Sequence, residues 1–243
     1  MISSRRVEAE LKGTARTFIR GKVGLYTSVL FPLVLLFLFG SIFGSSDSAY
    51  VRSLIPGLVG FSMLSPMFSH ADVAANYKRD KIFKQLALTP LTRAEWLLAR
   101  ILWYITITVP ALILVALVGW CVFGVQVSLS IGLVPFLIIG PFLFVSLGML
   151  VATAMDVESQ GLLINLVTFP MMFLSGTFYP VSMMPNWLQS IAHIFPLYYL
   201  IDGLTSVMTA GDSTGGLGDL AATFVIAVVV FVLAIRLFRW REE

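Results

Sequence analysis

Few residues in this 243-residue chain have types and spacing that could do chemistry. It holds two histidines, His70 and His193, and one cysteine, Cys121, each far from the others in sequence. A lone thiol in an apolar run cannot staple a fold, so Cys121 reads as a small apolar filler. No G-x-x-x-x-G-K-[ST] loop is present to cradle ATP phosphates, and neither H-E-x-x-H nor G-x-S-x-G occurs. No catalytic, metal or cofactor site is therefore expected in this chain. The carboxylates Asp72, Asp156, Glu158, Asp202 and Asp219 fall at the ends of apolar runs. A proton or ion path needs titratable groups inside such runs, so energy for any active transport should come from elsewhere.

The remaining chemistry is that of contact. From Asp72 to Arg100 the chain is first basic (Lys78, Arg79, Lys81), then apolar (Ile82, Phe83, Leu86, Leu88), then Thr89-Pro90-Leu91-Thr92-Arg93. Ile82, Phe83, Leu86 and Ala87 share one helical face, and Pro90 must stop or kink that helix. Thr92 can cap the next helix with Glu95 three residues on, a capping box. An apolar face rimmed by charge suits docking of a soluble partner; an ordinary lipid-hugging loop is the plainer alternative. Residues 1–22 form a second contact element. Val7, Leu11 and Phe18 lie on one helical face, and Glu8, Lys12, Arg16 and Arg20 on another. Such a helix lies on a membrane surface with its basic groups toward anionic lipid.

The elements that position these segments are membrane spans. Hydrophobic residues make up 58% of the chain and charged residues 12%, about half the usual charged share of roughly 25%, so much of the surface must face lipid. A spanning helix needs about 20 apolar residues. Val23–Phe43 and Ser53–Ala71 supply two such runs. The 55 uncharged residues from Ile101 to Met155 supply two more, with a polar turn at 123–128. Of the 43 uncharged residues from Ser159 to Ile201, the first half forms a fifth span near 160–179. Gly176 and Pro180 stop it, and Pro185 and Pro196 break the second half into an amphipathic helical pair dipping into the outer interface. Leu220–Ile235 is the sixth. The N-terminus does not read as a secretory signal, because it is charged throughout and precedes too long an apolar run.

Charge placement supports that count. With both termini cytoplasmic, fifteen of the sixteen Lys and Arg residues lie inside, and only Arg52 lies outside. This is the bias expected of a polytopic membrane protein. A seventh span would reverse it. The expected fold is all-α integral membrane: a single domain over 1–243, with an interfacial helix at 1–22, a cytoplasmic loop at 72–100, six spans, and a re-entrant helical hairpin at 181–210.

Two segments carry a resemblance. Phe173-Leu174-Ser175-Gly176-Thr177-Phe178-Tyr179-Pro180, with Met184-Pro185-Asn186-Trp187-Leu188 and Pro196-Leu197-Tyr198-Tyr199-Leu200-Ile201-Asp202-Gly203-Leu204, is similar to the outer motif of ABC-2 type ABC transporter permeases. Gln85-Leu86-Ala87-Leu88-Thr89-Pro90-Leu91-Thr92-Arg93 resembles their coupling segment. Lys84 stands at a frequently acidic position, and Thr205 stands where an Arg often closes the outer motif.

The resemblance implies a permease subunit without its own ATPase site, with ATP and Mg held on a separate subunit. Two ATPase subunits and a second permease, a copy or a paralogue, would complete the assembly in a prokaryotic plasma membrane; no nucleic acid is implied. Coupling would fall to Phe83, Leu86, Leu88, Thr89, Pro90, Leu91 and Arg93. Phe61, Met63 and Phe68, with Asn165, Phe169, Met172 and Phe173, would line the path, and Gly176, Phe178, Tyr179, Pro180 and Trp187 would form an outer gate. The cargo would be hydrophobic or amphipathic: a drug, an antibiotic or a lipid-like molecule, with a lipid-linked glycan as the alternative. An ATP-independent carrier or a membrane scaffold is the rival of a different class.

Overall fold

The computed structural model describes residues 4–21, 26–44, 48–86, 88–89, 91–154, 157–210 and 216–237. Ten α-helices form the described chain, and no strand occurs among the described residues. Helix α1 spans Ser4–Gly21 and α2 spans Phe31–Phe43, preceded by a π-turn at Tyr26–Leu30. Helix α3 runs Ser48–Arg79, α4 is the single turn Ile82–Leu86, and α5 runs Arg93–Phe123. Helices α6 (Leu133–Ala154) and α7 (Val157–Leu174) come next, then α8 (Asn186–Ala192), α9 (Pro196–Ala210) and α10 (Leu217–Leu237).

Helix α3 is the axis of the bundle, with α2, α5, α6, α7 and α9 packed around it. Every residue from Leu54 to Met67 is buried, as befits a helix apolar on all sides. The outer helices bury one stripe each. On α2 the stripe is Pro32, Leu36 and Gly40, while Phe37, Leu38 and Ile42 face outward. On α10 it is Thr223, Ala227 and Ala234, while Phe224, Val225, Val229 and Val232 face outward. These outward rows are far too apolar for water and suit lipid.

Four helical stretches are long and apolar enough to cross a membrane: 48–69, 94–123, 133–153 and 217–237. The apolar helices 28–43 and 161–174 are shorter, and the expected six spans depend on them. Helix α7 ends at Leu174, five residues before the expected boundary, because Gly176 turns the backbone to φ +86°. Helices α8 and α9 meet at 98°. The turn expected near 123–128 begins at Gly124, whose φ of +67° caps α5. Cys121 is exposed rather than packed, on the outward side of that helix.

Candidate coupling elbow and distal cavity

The elbow between α3 and α5 is built from local bonds. Thr92 caps α5, with its Oγ1 accepting from the Glu95 amide at 3.3 Å and its own amide donating to Glu95 Oε2 at 2.8 Å. The Thr89 hydroxyl donates to the Leu86 carbonyl at 2.7 Å, which closes the turn after α4. Leu86 and Leu91 are half-buried against a core cluster centred on Trp96. Leu88, between them, is 88% exposed. The three leucines expected to offer apolar contact thus divide: two anchor the elbow and one projects from it. Pro90 lies outside the described residues, as do the side chains of Phe83 and Arg93.

Helix α1 docks on the first turns of α5 through charge. Arg6 Nη2 lies 3.3 Å from Glu95 Oε1, whose side chain is 0% exposed. One turn on, Glu10 Oε1 lies 3.6 Å from Nη2 of Arg100, itself only 7% exposed. The same Arg100 nitrogen donates to the Tyr77 hydroxyl at 3.1 Å, and its guanidinium stands 5.1 Å from the Trp96 ring centre and 5.7 Å from that of Tyr77. These are cation–π distances. Burial holds the Glu10 carboxyl above the usual carboxylate range, and the Arg100 charge only partly offsets this. At the exposed end of α1, Lys12 donates to Glu8 at 2.7 Å and holds the Glu8 carboxyl below that range.

Two ion pairs and an aromatic stack therefore tie α1, the end of α3 and the start of α5 together directly behind the elbow. Periodicity picks out an apolar and a basic face on α1, of which the Phe18 and Arg20 side chains lie outside the described residues, but not this third face. Arg6, Glu10 and Thr14 recur at steps of four, and that spacing was the available signal. Their partners lie far along the chain, where periodicity does not reach.

The residues expected to line a path separate in the same way. Met63 is 0% exposed and Phe61 nearly so; both belong to the subunit core, where Met63 Sδ packs on Gly140. Phe68 is half-buried beside the Trp96 cluster. On α7, Leu162, Leu166, Phe169 and Phe173 form an outward apolar row, with Asn165 exposed beside it and Met172 half-buried. Ile164, Thr168 and Met171 face inward.

At the end of the bundle away from α1, residues 173–180 are locked onto α2 and α3. The Phe178 carbonyl accepts from the Tyr50 hydroxyl at 2.9 Å, and its ring packs 5.2 Å from Phe39 and 5.3 Å from Phe173. A Cβ on Gly57 would come within 2.2 Å of the Thr177 carbonyl oxygen, so only glycine permits this approach. Tyr179 and Pro180 are half-buried, and Trp187 on α8 faces outward. Beneath the turn lies a cavity of about 320 Å³ between α3, α8 and α9, lined among others by Ser175, Gly176, Pro180, Gln189, Tyr198 and Asp202. No group of three or more metal-ligating side chains occurs among the described residues.

A bundle of long apolar helices, with an elbow at one end and a folded-back helical pair at the other, defines a multi-pass membrane protein. Over residues 6–209 it matches a family model described as ABC-2 type transporter, and the chain belongs to that family. Permease subunits of the family are generally non-catalytic and associate with an ATPase subunit. Among curated relatives, it is 26% identical to Nodulation protein J of Bradyrhizobium diazoefficiens over 80% of this chain and 75% of that one. It is 24% identical to the daunorubicin resistance ABC transporter permease protein DrrB1 of Streptomyces coeruleorubidus over 89% and 80%. It is 27% identical to the inner membrane transport permease YadH of Escherichia coli over 84% and 80%.

Proposed function

We propose that this chain is the membrane subunit of an ATP-driven exporter of hydrophobic or amphipathic cargo such as a drug, an antibiotic or a lipid-like molecule. The observation that carries the reading is the elbow: a bare leucine, Leu88, held outward by two half-buried neighbours and backed by buried ion pairs. A rigid apolar contact of this kind can receive a push from a soluble partner and pass it to α1, α3 and α5 together. Two ATPase subunits, holding ATP and Mg, dock there, one on each of two permeases. Both termini are cytoplasmic, and the two shorter apolar helices complete six spans in a prokaryotic plasma membrane. The outward row on α7 (Phe169 and Phe173 above all) lines the path between permeases, and residues 176–187 gate its outer end.

A second reading, a glycan-bearing lipid as cargo, is favoured by the hydroxyl, amide and carboxylate groups that line the distal cavity. Transport in inside-out vesicles holding the chain and its ATPase tests the energy source. Ethidium accumulation should require ATP and should survive collapse of the proton gradient by an uncoupler. Accumulation that tracks the gradient and ignores ATP would instead support a secondary carrier.

A further inference from the structure

We propose that the distal cavity binds a protonated amino sugar, presented as the head group of an amphipathic cargo. This deepens the export reading and rests on it only for the source of the ligand. The cavity, of about 320 Å³, lies at the small end of ordinary ligand sites, which run from roughly 300 to 1,000 Å³.

Its lining carries one carboxylate and no lysine or arginine. The Asp202 carboxylate, which lines the cavity, has no hydrogen bond or ion pair among the described residues; the ionisable groups it faces are His193 and Asp219. His193 Nδ1 lies 2.6 Å from the Gln189 carbonyl, which can only accept, so Nδ1 carries a proton. Gln189 Nε2 donates one N–H to the Met184 carbonyl at 2.8 Å, which leaves its second N–H and its oxygen available. The Thr205 hydroxyl donates to the Ile201 carbonyl at 2.7 Å and can then only accept.

A positive ligand that brings donors meets the Asp202 carboxylate there. No lysine or arginine occurs from Thr177 to Ala234 to neutralise that carboxylate. Arg52, next to the lining residue Ser53, turns instead toward the Gln126 carbonyl at 3.4 Å. The independent sign of a ligand is Ser175. It lines the cavity at 1% exposure, and its Oγ has no hydrogen-bond partner. Buried hydroxyls are nearly always satisfied, and a sugar hydroxyl would satisfy this one. The Tyr198 ring, packed 4.4 Å from His193, also lines the cavity, and an aromatic edge or face can cover the C–H face of a pyranose. Phosphate, sulfate and carboxylate head groups are disfavoured by the Asp202 charge.

The test is saturation-transfer NMR on the full-length chain in phosphatidylcholine nanodiscs, with glucosamine hydrochloride and glucose as probes. Glucosamine should bind saturably and at least tenfold more tightly than glucose. Asp202→Asn should erase that preference. Thr205→Arg, which sets a guanidinium one helical turn from Asp202, should abolish glucosamine binding while leaving the melting temperature unchanged. Equal binding of the two sugars, a preference that survives Asp202→Asn, or no saturable glucosamine binding overturns the proposal. Phosphatidylethanolamine added to the discs should leave glucosamine binding intact; displacement by this lipid amine would overturn the assignment to a sugar. Binding is read without ATP or an ATPase, so failure here and failure of the export reading are separate results.

Discussion

Gly57→Ala should lower the stability of this protein by about 3 kcal/mol, the upper part of the range for overpacked interiors. The added Cβ would meet Thr177 at its carbonyl oxygen, carbonyl carbon and Cα, at 2.2, 2.8 and 3.0 Å. All three are backbone atoms, so no side chain can swing aside. Helix α3 and the turn at 175–178 must separate, and the Tyr50–Phe178 hydrogen bond and the stacking of Phe178 on Phe39 and Phe173 go with the separation. Gly161→Ala is the internal control: a Cβ there meets nothing within 4 Å, and alanine is the better helix former by about 1 kcal/mol. Thermal melting of the two variants in one detergent should show a fall for Gly57→Ala and no fall for Gly161→Ala. A Gly57→Ala protein that melts like the wild type would mean that α3 and the turn are not in contact.

Glu95→Ala should release α1 and fray the start of α5 at once, because Glu95 does two things. One oxygen accepts from the Thr92 amide and the other faces Arg6. Loss of the cap alone costs about 1 kcal/mol. Removing one partner of a buried ion pair costs on the order of 3 kcal/mol, discounted here because Arg6 is one-third exposed and regains some water. Glu95→Gln separates the two roles. Glutamine at this position can still close the capping box, but it carries no charge for Arg6. Hydrogen exchange should therefore quicken in residues 4–21 and 93–97 for Glu95→Ala, and in residues 4–21 alone for Glu95→Gln. Unchanged exchange of α1 in both variants would show that the ion pair does not hold that helix.

Local chemistry made parts of this structure legible in advance. The Thr92–Glu95 cap stems from two residue types at one spacing, and the break near Gly124 from a run of turn-forming residues. The stop at Gly176 was legible too, although Leu174 ends the helix earlier than the length of the apolar run suggested. The placement of Phe61 and Met63 was not legible. Lipid and protein interior are both apolar, so an all-apolar helix such as α3 carries no mark of which it faces, and its central position emerges only from the assembled bundle. The division of labour among Leu86, Leu88 and Leu91 was hidden for a related reason: the Trp96 cluster that buries two of them draws residues from several helices, including Val145 on α6 and Ala234 on α10. The α1 clamp joins Arg6 and Glu10 to Glu95 and Arg100, and no local rule pairs residues so far apart. The distal cavity likewise needs α3, α8 and α9 folded against one another before Ser175 and Asp202 meet.

That division of labour sharpens the test of the coupling site. Substituting Leu91 would disturb the core cluster behind the elbow, whereas Leu88 touches little within the subunit. The decisive measurement is co-purification of the full chain with its ATPase subunit, and then ATP hydrolysis, for wild type and Leu88→Asp. The wild-type chain should retain the ATPase, and Leu88→Asp should lose at least tenfold in retained ATPase and coupled hydrolysis at an unchanged melting temperature. A Leu88→Asp chain that holds and drives the ATPase as the wild type does would contradict the assignment of the elbow as the docking site.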